Sequence, residues 1–261
     1  MKTTDVVILI LISVLAFGYY VFYTWYYQSV PQTGISLLNT IPESKATDTI
    51  LGFSPHPDDE TIAVGGYIKT ATDVGAKVWI VLVTDGNKHH LEKIRYNEFE
   101  KVTSSLGVPP SNLIYLNYPD GALQKEDQKT VQTFFMNIIY FIHPNIIFVP
   151  SPSDVHPDHK TTGLDVESVL ANLKIKPVTY YYLVHFPNFP VPKRLKKNLY
   201  LTPPIKLLNF SKEWLSFPIA SNIEDVKYNA LLNYKTQLIY PPLDELIKSF
   251  VRRNELFVVN K

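Results

Sequence analysis

Thr49-Ile50-Leu51-Gly52-Phe53-Ser54-Pro55-His56-Pro57-Asp58-Asp59-Glu60 is the stretch that decides the fold. An apolar run of strand length ends in a turn made of Pro, His and acidic residues, and a helix-like pattern follows. A second passage has the same design: Asn145-Ile146-Ile147-Phe148-Val149, then His156-Pro157-Asp158-His159, which again opens a helix-like stretch. Strand ends that hand over to helices are where open α/β sheets gather ligands. Two such ends can share one metal ion.

Catalytic zinc commonly takes three protein ligands and leaves its fourth position to water. His56, Asp59 and His159 supply a His-Asp-His set. One carboxylate and two neutral imidazoles leave the ion with net positive charge, enough to acidify a water and polarise a carbonyl. Asp58 adjoins a ligand without being needed as one, so it is placed to take the proton. His156, three residues before a ligand, is placed to face a substrate from the other side, and Asp158 to fix an imidazole tautomer. Each cluster alone has a plainer account, since Asp58 or Asp59 can simply cap a helix that begins near Glu60. Capping does not explain why both clusters sit at strand-to-helix junctions. His89, His90, His143 and His185 lack carboxylate spacing and read as structural or loop-surface residues.

These residues together resemble the PIG-L/LmbE-like family of zinc-dependent N-acetylglucosaminyl deacetylases, whose paired signatures read His-Pro-Asp-Asp-Glu and, much later, His-Pro-Asp-His. Weaker similarities lie at Thr84-Asp85-Gly86, at Arg95 and Glu98, at Tyr118-Pro119-Asp120-Gly121 and at Tyr234-Lys235-Thr236-Gln237. The resemblance runs from Thr49 to Phe257 and is interrupted by a Pro-rich, basic and aromatic stretch from His185 to Pro218. It implies Zn2+, with Fe2+ able to occupy the same site, and removal of the acetyl group from an N-acetylglucosamine-containing glycan, glycolipid or glycoside. It also implies that Arg95 and Asp120 hold sugar hydroxyls, against the plainer account of an ion pair or a turn. Two alternatives stay open: hydrolysis of another amide or ester at the same metal, and sugar binding without turnover. Asp58 argues against the second, because a binding module has no use for a free carboxylate there. The aglycone is not specified.

Length and composition set the remaining bounds. The chain has 261 residues, 46% of them hydrophobic, and a formal net charge of +1, which suits one good-sized α/β domain and gives no electrostatic bias toward nucleic acid. The absence of cysteine excludes disulfides, Cys-ligated zinc and thiolate nucleophiles. No protein partner can be inferred.

Val6 to Tyr27 carries no charged side chain and ends in Tyr19-Tyr20-Val21-Phe22-Tyr23-Thr24-Trp25-Tyr26-Tyr27. That is long enough to span a bilayer, with an aromatic belt at one interface. A cleaved signal peptide is the competing reading, but bulky Tyr and Trp occupy the region where cleavage would fall. The domain expectation is an anchor over 1–28, a linker over 29–47 with Pro31, Gly34 and Pro42, and a catalytic domain over 48–261. Lys2 on one flank, with no Lys or Arg on the other until Lys45, favours an extracytoplasmic domain. The resemblance pulls the other way, since eukaryotic PIG-L enzymes carry a similar anchor and work on the cytoplasmic face.

Apolar runs at Thr49-Phe53, Val78-Thr84, Asn112-Asn117, Ile146-Val149 and Val178-Leu183 alternate with helical patterns. The expected architecture is a Rossmann-like α/β fold, a mainly parallel sheet with helices on both faces, preceded by one transmembrane helix. Gly75 and Gly107 should stop helices, and Gly65-Gly66 should allow close helix-on-sheet packing. The basic run Lys193-Arg194-Leu195-Lys196-Lys197 reads as a solvated loop, or as a contact for anionic head groups or an anionic wall polymer.

Overall fold

The five expected apolar runs form the parallel centre of the sheet in the computed structural model, which describes residues 3–260. They are β2 (Thr49–Ser54), β3 (Lys77–Thr84), β4 (Leu113–Tyr118), β5 (Ile146–Pro150) and β6 (Val178–Tyr182). The helices between them are α2 (Asp59–Asp73), α3 (Glu92–Ser105), α4 (Gln128–Ile142) and α5 (Pro157–Asn172). α4 shows the pattern that selects a helix here. Val131, Phe135, Ile139 and Ile142 form a buried stripe at helical spacing, and the Phe135 ring lies 4.9 Å from Phe53. Gly75 and Gly107 follow the ends of α2 and α3 at φ of 91° and 89°, the left-handed region where glycine carries no Cβ penalty.

Three further strands extend this centre: β1 (Asn39–Thr40), β7 (Lys212–Pro218) and β8 (Asn254–Asn260). The sheet among the described residues runs β1-β7-β8-β6-β5-β2-β3-β4, with β8 antiparallel to both β6 and β7. The sheet is therefore mixed. α6 (Ser221–Leu231), α7 (Lys235–Leu238) and α8 (Pro241–Ser249) lie between the last two strands. β8 carries a buried charge that ties the extension to α2: Glu255 pairs with Lys227 at 2.6 Å and accepts the N–H groups of Gly66 and Tyr67. A Cβ on Gly66 would stand 2.7 Å from the Ile219 side-chain tip and 3.2 Å from a Glu255 carboxylate oxygen, so α2 comes close to β8 at this glycine.

The stretch 29–47, expected as a linker, is built onto the domain over much of its length. Thr40 and Asn39 pair in parallel with β7, the Val30 N–H donates to the Pro203 carbonyl, and the Gln32 side chain bonds both backbone groups of Tyr200. Proline and polar composition suggested a free tether; in fact those residues find backbone partners in the 200–216 segment. Ahead of them α1 (Thr3–Tyr26) has no buried residue. Among the described residues it is the one helix long and apolar enough to cross a membrane. Lys2, on which the expected orientation rests, lies outside the described residues.

β2 and β5 are neighbours, with β3 and β4 continuing on one side and β6 on the other, so the connection direction reverses between them. This topological switch point opens a crevice at the carboxyl ends of both strands. Both histidine clusters leave from those two ends. α5 is held tight against β5, because a Cβ on Gly163 would lie 2.5 Å from the Pro150 carbonyl oxygen. Gly163→Ala must therefore push α5 off the sheet, costing about 1–3 kcal/mol by the usual scale of overpacking. A melting temperature unchanged from the parent chain would show that the helix yields without cost.

Candidate metal centre

Residues from the two signatures converge on one point. His56 Nδ1 lies 3.1 Å from Asp59 Oδ2, His159 Nε2 lies 3.0 Å from the same oxygen, and the two ring nitrogens are 3.3 Å apart. Three donor atoms at such mutual distances form one face of a tetrahedron around an ion with bonds of about 2 Å. All three residues are buried. The donor set, two imidazoles and a carboxylate, suits zinc or another borderline divalent ion.

Two other carboxylates orient the imidazoles. His56 Nε2 lies 3.1 Å from Asp158 Oδ2, and Asp158 is itself fixed by the N–H groups of Gly121 and Leu123. A proton on Nε2 leaves the Nδ1 lone pair facing the focus, the arrangement expected of a carboxylate–histidine pair. His159 Nδ1 lies 3.3 Å from Asp154 Oδ2, close enough to pair but off the line of a hydrogen bond. Asp154 also accepts the N–H groups of His156, Val184 and His185.

The electrostatics suit a cation at the focus. Burial by itself would depress the His56 imidazole, but its bonds to Asp158 and Asp59 push it up to about 9. His159 is likewise held well above its ordinary value, against burial, by Asp59 and Asp154. Burial opposes ionisation of Asp59, yet the two imidazoles hold it well below the usual carboxylate range. Protons here occupy the place where a divalent ion would satisfy the same carboxylates.

Around this focus stand the remaining candidates. Asp58, at φ 143°, occupies a backbone region that non-glycine residues rarely enter. Burial and the adjacent Asp59 push its carboxyl up to about 8. His156 accepts the Asp158 N–H at Nδ1, and burial plus the charge of His56 and His159 lower its pKa to about 4. It is therefore a neutral imidazole with its proton on Nε2. Arg95 spans the two sides of the cleft: it donates to the carbonyls of Pro57 and Gly86, and lies 3.5 Å from Asp58 and 3.4 Å from Asp120. Asp120 Oδ1 is 3.5 Å from His56 Nε2. These side chains line a cleft of about 250 Å3, closed on its other sides by Ile62, Leu243 and Leu246.

The histidines set aside from sequence divide. His143 caps α4 in the left-handed region and is exposed, as expected, and His90 lies in a turn. His185, by contrast, stands with its ring 4.7 Å from His159 and 5.1 Å from His156, and His89 lines the mouth of the cleft. His185 follows the β6 run just as His56 and His156 follow theirs, so the strand-end rule applied once more would have found it. Asp154 carried a weaker signal, two residues before His156 on the same turn. Gln237, from the Tyr-Lys-Thr-Gln stretch, also reaches the cleft.

Residues 51–170 match the family model described as PIG-L, GlcNAc-PI de-N-acetylase. A diacetylchitobiose deacetylase of Thermococcus kodakarensis is 30% identical over 169 residues, covering 54% of this chain and 61% of the relative. A probable N-acetyl-alpha-D-glucosaminyl L-malate deacetylase 2 of Bacillus anthracis is 28% identical over 153 residues, covering 53% and 66%. The match thus spans about two thirds or less of either relative's length. The N,N'-diacetylchitobiose deacetylase structure from Pyrococcus horikoshii superposes with a TM-score of 0.61 at 22% identity, over 81% of this chain and 83% of that one, a likeness of fold. Both signatures lie inside the segment, residues 51–170, that is similar to the PIG-L family.

Proposed function

We propose that this chain is a metal-dependent hydrolase that removes the acetyl group from an N-acetylglucosamine-containing substrate, working from a membrane anchor. The observation that carries this reading is the mutual 3.0–3.3 Å approach of His56 Nδ1, Asp59 Oδ2 and His159 Nε2, with Asp58 left over beside them. The relatives' names, diacetylchitobiose and N-acetylglucosaminyl malate deacetylase, support the sugar.

His56, Asp59 and His159 would hold the ion, with zinc the first choice and ferrous iron the second. Such an ion supplies Lewis acidity to the acetyl carbonyl and makes a water nucleophilic near neutral pH. Asp58 takes the proton released by the attacking water and carries it toward the departing amine. The neutral His156 donates from Nε2 to the carbonyl oxygen as negative charge grows there. Asp158 and Asp154 hold the rings of His56 and His159. Asp120 accepts from sugar hydroxyls, while Arg95 both reaches them and braces the Pro57–Asp58 turn. The 250 Å3 cleft admits one sugar ring.

Metal binding should release protons. His56 titrates at about 9 without metal, and only its neutral form offers Nδ1, so affinity rises with pH up to that value. Calorimetric zinc titrations at pH 7 in buffers of different ionisation enthalpy should show net proton release, and His56→Ala, Asp59→Ala and His159→Ala should each lose the ion. Stoichiometric metal retained by all three variants would refute the ligand set.

Asp58→Asn should keep its metal and release acetate from diacetylchitobiose or another N-acetylglucosamine compound about a hundredfold to ten-thousandfold more slowly, the worth of a positioned general base. Turnover near that of the parent chain would move the base elsewhere. Asp120→Ala should raise KM or abolish turnover at unchanged zinc content. A folded Asp120→Ala variant with parental kinetics would exclude it from the sugar site.

A further inference from the structure

The segments around the exit of α1 carry an arrangement that the metal centre does not use. The Ile205 N–H donates to the Gln28 carbonyl at 2.9 Å, the Ser29 and Pro204 backbones bridge, and Thr202 Oγ1 bonds the Val30 carbonyl at 2.6 Å. Lys206 Nζ stands 4.1 Å from the Tyr26 ring centre and 4.8 Å from that of Tyr27. This strap fixes residues 202–206 at the level of Trp25, Tyr26 and Tyr27, the aromatic belt that settles at a membrane interface. From there the chain displays apolar side chains to solvent: Ile205 and Leu208 are 39% and 47% exposed, and Phe210 is fully exposed. On another side of the exit, the Asn188 side chain bonds the Tyr27 carbonyl, and the segment continues through exposed Val191 to exposed Lys193 and Arg194.

We propose that these two segments form a second membrane contact, with Ile205, Leu208 and Phe210 entering the interface of an anionic bilayer and Lys193, Arg194 and Lys206 facing lipid phosphates. The proposal rests on reading α1 as a membrane span. Given that span, the bilayer is the partner that the chain itself brings to this surface. Exposed apolar side chains beside basic ones are the composition that anionic interfaces bind. Phe141, equally apolar and 75% exposed, makes a natural control, because it packs on Trp79 of β3, five strands across the sheet from β7.

The chain has no cysteine, so one introduced thiol carries one nitroxide label. Full-length Leu11→Cys, Phe210→Cys and Phe141→Cys chains would be labelled and reconstituted in vesicles of phosphatidylcholine and phosphatidylglycerol. Power-saturation spectroscopy then compares accessibility to oxygen, which concentrates in lipid, with accessibility to a water-soluble nickel complex. The label at 210 should show a severalfold higher oxygen-to-nickel ratio than the label at 141, and the ratio should fall with Lys206→Ala or in vesicles without phosphatidylglycerol. A label at 210 that matches 141, while the label at 11 stays in lipid, would overturn the second contact and leave the anchor intact. A label at 11 that is open to nickel would overturn the anchor and this proposal together.

Discussion

Buried negative charge at the switch point is the constraint on which the rest of the structure depends. Asp58, Asp59, Glu60, Asp154 and Asp158 are all buried around two short turns. Buried carboxylates persist only when they are hydrogen-bonded, paired or bound to a cation. Glu60 is satisfied by Ser54, Thr61 and Tyr234, Asp158 by two backbone N–H groups and His56, and Asp154 by three backbone N–H groups. Arg95 lies between Asp58 and Asp120. Asp59 is left with the His56 N–H and two imidazoles, so its charge is the one that a metal ion would complete.

The sheet supplies rigidity where the turns cannot. In register, Ile50, Leu51 and Gly52 of β2 lie beside Ile146, Ile147 and Phe148 of β5, which sets the two histidine turns side by side. Gly163 lets α5 approach Pro150, and α5 carries His159 in its first turn. Distances of 3.0–3.3 Å between donor atoms that follow two separate strands depend on that fixed spacing. A functional constellation is held most exactly by regular elements whose packing leaves no slack.

The exit of α1 is tied into the same framework. Val184 and His185 line the cleft, and the next residue, Phe186, packs edge-on against Tyr27 at 5.9 Å. Phe189 contacts Phe250, which follows α8, the helix whose Leu243 and Leu246 close the cleft. A short series of ring contacts therefore links the exit of α1 to the segment that bears His185.

Much of this was legible in the sequence because its cause is local. The five central strands follow from apolar runs between helical patterns, the helix ends from Gly75 and Gly107, and the candidate ligands from short motifs placed just after strands. β7 and β8 escaped because their pairing is long-range: β7 lies in the Pro-rich stretch, and β8 closes antiparallel between β6 and β7 only after three helices have intervened. Asp154 and His185 each follow a strand end, but their meeting comes from the adjacency of β5 and β6, which neither segment reveals alone. The residues after α1 looked like a tether because distant partners are invisible to composition, and Gln32 meets Tyr200, 168 residues on, only in three dimensions. Sequence by itself marked the candidate ligands and the five central strands. The tertiary structure decided which of those residues meet, because strand order and register alone set the distance between one loop and another.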